Sequence, residues 1–303
     1  MSAAVTLVFC MTDKAIRSTR SIRFLLVLLS FLLSSCRKTP EAAKAPAMPM
    51  RIVSITITGD VLLDALKIDP SRIQAVSALA DDSGIHEAAG CFPGKPRLGA
   101  NLEKILALNP DLVIVGSFHD PAFLKALRGV GVPLLELDDP SSIDKVRAFL
   151  KGASARLGAA RGGDSLARWM DSTLAAVRGR NARCASDTPS VLYWSDGYTA
   201  GDANTVNEIL GVAGAVNLAA KMGKHKATRI STEELASTDP DWLMLSDWRH
   251  KGSVEFPEQA RRLRAWQGRK VLRVPSKLLL STSHRLALAA DALQKALHRG
   301  CEN

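Results

Sequence analysis

The sequence lacks a GxSxG elbow, an HExxH pair and a phosphate-binding glycine loop, so the familiar serine-hydrolase, zinc-protease and nucleotide-hydrolysing chemistries have no local signature. Ser283-His284 and Ser195-Asp196 are only fragments of such sites, and Gly162-Gly163 is not in a strand-to-helix turn, which excludes a dinucleotide fingerprint. Catalysis is not expected, and an envelope hydrolase is the remotest reading. Cysteine is scarce: none of the five stands in a CxxC or Cys/His spacing that would hold zinc. Of the six histidines, only His119 and His250 fall on loop ends where they can meet. With Asp81 or Asp196 they leave a bare zinc or manganese site as an alternative, although no metal ligand set is expected. Forty basic residues against thirty acidic ones give +10, yet no basic stripe with interleaved aromatics appears, so nucleic acid is not an expected partner. The surplus reads as solvated surface and, in smaller part, as a hint of an anionic ligand.

The apolar run from Phe24 to Leu33 is too short to span a bilayer and follows Arg17, Arg20 and Arg23, the order of an export signal. It ends in Leu33-Ser34-Ser35-Cys36, which resembles the lipobox of bacterial lipoproteins and implies that Cys36 becomes a lipidated first residue. Residues 1–35 are therefore expected to be removed, with residues 1–10 superfluous and Met11 an alternative start. Residues 36–50 have the proline- and alanine-rich composition of a tether. Outside the cytosol a disulfide is permitted, and Cys184 with Cys301 would close the second half of the chain.

The strongest internal signal is a repeat. Asn101 to Val115 is matched without a gap, 130 positions later, by Ser231 to Leu245. Each copy has a capping Asn or Ser, a short helical pattern, an Asn-Pro-Asp or Asp-Pro-Asp stop and an apolar run, which predicts helix, turn and buried strand. Further strands are predicted at Ile52 to Ile57, Ile73 to Ser77, Val132 to Leu137, Ser190 to Trp194 and Lys270 to Val274, with helices at Val61 to Leu66, Ala122 to Leu127 and Leu286 to Leu297. The alternation predicts an α/β protein of two doubly wound lobes, over residues 51–140 and 188–303. Between them, in residues 141–187, Leu166, Trp169, Met170, Leu174 and Val177 recur at helical spacing and predict one long bridging helix. Gly158, Gly162 and Gly163 are expected to separate it from a preceding helix.

With these elements in order, the chain resembles the substrate-binding proteins that serve ABC importers of ferric siderophores, cobalamin and heme. The residues that carry the resemblance are Arg51-Ile52-Val53-Ser54, Gly99-Ala100-Asn101-Leu102-Glu103, Ala107-Leu108-Asn109-Pro110-Asp111, Gly131-Val132-Pro133, Asn207-Glu208-Ile209-Leu210, Ala213 to Asn217 and Ser231-Thr232-Glu233. The family's first loop usually carries a proline and its following helix a Thr-Glu pair, whereas this chain has Ile57 and Asp60-Val61, and Arg97 stands where some members place a stacking aromatic.

The resemblance implies a ligand cleft between two lobes, a monomer, an inner-membrane permease and ATPase as partners, and docking glutamates at Glu103 and Glu233. The implied ligand is a small metal chelate carrying iron or cobalt; the protein itself needs no cofactor. Ligands of open α/β sheets lie at the carboxyl ends of the strands. That rule nominates Thr58, Gly59, Asp81, Arg97, Phe118, Trp194, Tyr198, Trp248, Arg249 and Lys277, the cations to grip chelate oxygens and the rings to cover its organic faces.

Overall fold

The computed structural model describes residues 48–86, 88–138, 141–184, 188–246, 256–280 and 283–299. Among them no helix is long and apolar enough to cross a membrane. The expected export signal, Cys36, Cys301 and the loop residues Trp248, Arg249 and His250 lie outside the described residues.

The first lobe opens with β1 (Ile52–Ser54), α1 (Ile57–Ala65), β2 (Ile73–Ser77) and β3 (Arg97–Leu98). It continues through α2 (Leu102–Leu106), β4 (Leu112–Gly116), α3 (Pro121–Gly129) and β5 (Leu134–Leu137). All five strands run parallel in the order β3-β2-β1-β4-β5. Crossover helices cover the faces of a parallel sheet, so its strands are apolar on both sides; Val113, Ile114 and Val115 are fully buried.

The predicted strand over Ile52 to Ile57 is shorter than its apolar run. Thr56 is extended and its hydroxyl accepts from the Gly59 amide at 3.0 Å, so the helix starts at Ile57, four residues before the expected Val61.

Two helices join the lobes: α4 (Ile143–Arg156) and the bridging helix α5 (Ala160–Arg183). The break falls at Gly158, whose φ is 74°, whereas Gly162 and Gly163 lie inside α5, contrary to expectation. The 24 residues of α5 correspond to about 36 Å at 1.5 Å per residue. One buried apolar cluster contains Leu62 and Leu63 of α1, Met170, Leu174 and Val177 of α5, and residues of the second lobe, so the bridge is cemented into both halves.

The second lobe contains β6 (Ser190–Trp194), β7 (Tyr198–Ala200), α6 (Thr205–Val212), β8 (Val216–Asn217), α7 (Leu218–Lys221) and β9 (Ala227–Arg229). Then follow α8 (Thr232–Ala236), β10 (Trp242–Leu245), α9 (Arg264–Gln267), β11 (Val271–Arg273), α10 (Ser276–Leu280) and α11 (Leu286–Leu297). Its main sheet is parallel, in the order β11-β10-β6-β8, and β7 and β9 form a separate antiparallel pair. Asp196 and Gly197, both with positive φ, make the two-residue turn from β6 into β7, the conformation that an Asp-Gly pair favours.

The repeat is structural as well as sequential. Asn101 caps α2 by accepting from Lys104 N at 2.9 Å, and Ser231 caps α8 by accepting from Glu234 N at 3.1 Å. The aspartate after each proline then ties down the start of the neighbouring strand. Asp111 accepts from the amides of Met50 and Arg51, at 2.7 and 2.8 Å. Asp241 accepts from the amide and hydroxyl of Ser190, at 2.8 and 2.7 Å.

Candidate functional site

The carboxyl ends of the first lobe's strands are polar and buried. Ser54, Thr56, Asp60, Ser77 and His86 are all at most 4% exposed. Among the nominated residues here, Gly59 has a structural reason to be glycine. A Cβ on it would lie 2.6 Å from Ser54 Oγ and 2.8 Å from Ile114 Cγ2, so only a bare Cα lets α1 approach β1 and β4. Its amide is already used by the Thr56 cap. Thr58, beside it in the first turn, is half-buried.

Asp81 and Arg97 do come together, with each other. Arg97 Nε and Nη2 donate to the two carboxylate oxygens at 2.8 and 2.7 Å, and Nη1 donates to the carbonyls of Phe92 and Lys95 at 3.1 and 2.5 Å. The hydrogen bond from Arg97 holds the Asp81 carboxyl below its usual range. Arg97 is therefore a staple of the β2–β3 connection, and its hydrogen-bonding groups are largely engaged within the chain.

At the end of β4 the wall changes character. Phe118 is 74% exposed and stacks on His119, with ring centroids 4.9 Å apart. His119 Nδ1 lies 2.9 Å from the Gly116 carbonyl and must donate to it, which leaves Nε2 as the lone-pair nitrogen with no partner among the described residues. Leu79, on the β2–β3 connection, is a further exposed apolar side chain. Among the described residues no three His, Cys, Asp or Glu side chains gather to hold an ion.

In the second lobe Trp194, nominated as a cleft ring, packs in a buried apolar cluster. It is 5% exposed, and its ring meets Phe256 edge-on at 5.5 Å, while Phe256 stacks on Trp266 at 4.7 Å. Tyr198 is exposed at the tip of β7, where Arg229 Nε donates to its hydroxyl at 3.1 Å and the guanidinium lies 5.2 Å from the ring centre. Sequence reasoning missed Arg229, whose strand pairing with Tyr198 is non-local. Lys277 is half-buried in the first turn of α10.

The ends of β6 and β10 carry a hydroxyl network. Ser195 Oγ donates to the Ser246 carbonyl at 2.9 Å, and Ser246 and Ser276 share a hydrogen bond at 3.0 Å. Burial pushes the neighbouring Tyr193 phenol above its ordinary range. Glu103 and Glu233 are exposed in the first turns of α2 and α8, where a carboxylate is stabilised by the helix dipole. Cys184 is buried at the end of α5; the expected partner Cys301 is beyond the described residues.

A family model described as periplasmic binding protein matches residues 93–276, which reach from β3 in the first lobe to β11 in the second. An uncharacterized ABC transporter substrate-binding lipoprotein of Bacillus subtilis, YvrC, is 23% identical over 209 residues, 66% of each chain. A cobalamin-binding protein of Halobacterium salinarum is 30% identical over 150 residues, 46% of this chain and 39% of its own. The chain thus spans less than two thirds of the length of the curated relatives it matches. Among solved structures, the apo form of the periplasmic heme-binding protein RhuT from Roseiflexus sp. RS-1 superposes with a TM-score of 0.69 at 26% identity, covering 83% of this chain and 99% of that one.

Proposed function

Because the chain belongs to the periplasmic binding protein family, its match spanning both lobes, we propose that it is the substrate-binding lipoprotein of an ABC importer. It captures a metal chelate between the carboxyl ends of the two sets of strands, holds it without transforming it, and hands it to the permease. The observation that carries this reading is the two-lobe family match, supported by relatives that bind cobalamin or heme.

The chemistry of the wall narrows the chelate. Arg97 is already occupied by Asp81, which weighs against a grip on the oxygens of a siderophore. Exposed Phe118 and Leu79 offer apolar cover for a flat macrocycle, and the bare Nε2 of His119 can face an open coordination position on its metal. A corrinoid or heme therefore fits the described wall better than a hexadentate siderophore does. Cys36 anchors the protein at the envelope, Glu103 and Glu233 engage the permease, and Cys184 pairs with Cys301 in this reading. Thr58, Tyr198 and Lys277 remain candidate ligand contacts, and Trp248 and Arg249 complete the set from outside the described residues.

The test is uptake. Deleting the gene should lower import of radiolabelled cyanocobalamin or of heme iron, and the wild-type chain should restore it. Unchanged import of both chelates and of a ferric siderophore panel would contradict the reading.

A further inference from the structure

The connection from β2 to β3, residues 78–96, is far longer than the usual link between neighbouring elements, and its described residues contain no regular helix or strand. Such a segment needs a physical reason to hold one shape, and apolar packing of Ile85, Ala88 and Phe92 supplies only part of it. We propose that Asp60 and His86 are positioning residues that fix this connection as a preformed wall of the ligand cleft. The inference rests on the functional reading only in treating the connection as cleft wall.

Asp60 is wholly buried in the first turn of α1, so its carboxylate must be satisfied by fixed donors. Two reach the same oxygen. Ser77 N donates to Oδ2 at 3.0 Å, and His86 Nε2 lies 3.1 Å from it. The opposite ring nitrogen settles the tautomer, because Nδ1 lies 3.0 Å from the Ala88 amide, a group that can only donate. Nδ1 therefore carries the lone pair and Nε2 carries the proton, which it gives to Asp60. Asp60 and this imidazole together link α1, the end of β2 and the amide of Ala88.

Arg97 pins the same connection from the other side, through Asp81 and through the carbonyls of Phe92 and Lys95. The Asp60 carboxylate also acts on the Arg97 guanidinium, so the two staples are joined electrostatically. A wall held in this way presents Leu79 already in place, and a ligand that meets it loses no free energy to ordering the loop. Asp60 also stands where this chain departs from the family's usual first-helix pattern, so the device is read from this sequence and not from its relatives.

Three measurements on the full mature chain test it. In nitrogen-15 spectra of the wild type, His86 should have a protonated Nε2 and a bare Nδ1; the opposite tautomer would overturn the assignment. His86→Leu keeps the bulk and removes both nitrogens. It should speed amide exchange across residues 78–96 by about tenfold or more, the loss of one or two buried hydrogen bonds, while β4 and β10 stay protected. His86→Gln, which can return an N–H to Asp60, should restore most of the protection near Ser77 but not at Ala88. Unchanged exchange in residues 78–96 of the Leu variant would refute the positioning role, and if that variant does not fold, equal protection of Ala88 in the Gln variant and the wild type would do so. Titration with hemin and cyanocobalamin separates the two claims. Weaker binding in the variant with the loose loop, rescued by Gln, supports both. Wild type that binds neither probe overturns the functional reading, while exchange and tautomer still judge the staple.

Discussion

Arg97 holds both carboxylate oxygens of Asp81, at 2.8 and 2.7 Å, across sixteen positions of sequence. A cation that the sequence offers to a ligand is thereby used to close a loop. Arg97→Ala should weaken chelate binding at least as much as Asp81→Ala, since it also removes the bonds to the Phe92 and Lys95 carbonyls, and the double variant should be no weaker than Arg97→Ala, because that change already breaks the pair. Isothermal titration with hemin or cyanocobalamin reads this directly. Losses that multiply in the double variant would mean that Arg97 touches the ligand after all.

Phe118 is exposed, and among the described residues its ring stacks only on His119. Phe118→Ala should therefore leave urea unfolding within about 0.5 kcal/mol of the parent, yet weaken chelate binding by about fivefold to tenfold through lost apolar cover. His119→Ala should in addition abolish any shift of the hemin absorption band that axial ligation produces.

Glu103 and Glu233 occupy equivalent first-turn positions in the two copies of the repeat and are free of ion pairs among the described residues. Reversing both, as Glu103→Lys with Glu233→Lys, should cut uptake by about tenfold or more while ligand affinity holds, since rim charges act on the partner. Wild-type uptake in the double variant would remove them from the docking surface.

His284 is buried, its Nδ1 has no partner among the described residues, and its ring meets Trp169 edge-on at 5.6 Å. Burial, with the Arg285 charge beside it, lowers its pKa from 6.5 to about 4. The unfolded chain therefore takes up a proton at this residue that the folded chain refuses. The contribution to stability is complete above pH 6.5 and is lost as the pH falls toward 4, on the order of 3 kcal/mol over that window. Urea midpoints at pH 7 and pH 4.5 should differ more for the parent than for His284→Leu. Equal pH dependence in the two proteins would contradict the assignment.

The fold was largely legible because its signal is local and repeated. α2 and α8 begin and end 130 positions apart, as the two matched segments require, and α11 spans the predicted Leu286–Leu297. Ile57 misled because a β-branched apolar residue continues the β1 pattern, while the deciding feature is the single hydroxyl of Thr56. The site was less legible because its chemistry is made by pairs that are distant in sequence. Nothing near His86 announces Asp60, twenty-six positions away, and nothing near Tyr198 announces Arg229. Trp194 looked like a cleft ring because it ends a strand; its partner Phe256 lies in a segment with no regular pattern.

Native mass spectrometry of the purified mature chain against hemin, cyanocobalamin, ferric siderophores, zinc and manganese tests the central claim most directly. The account predicts one saturable one-to-one complex with an intact tetrapyrrole chelate, recovered unchanged on release. A chain that takes up zinc or manganese alone, that binds none of the chelates, or that releases a chemically altered ligand would contradict it.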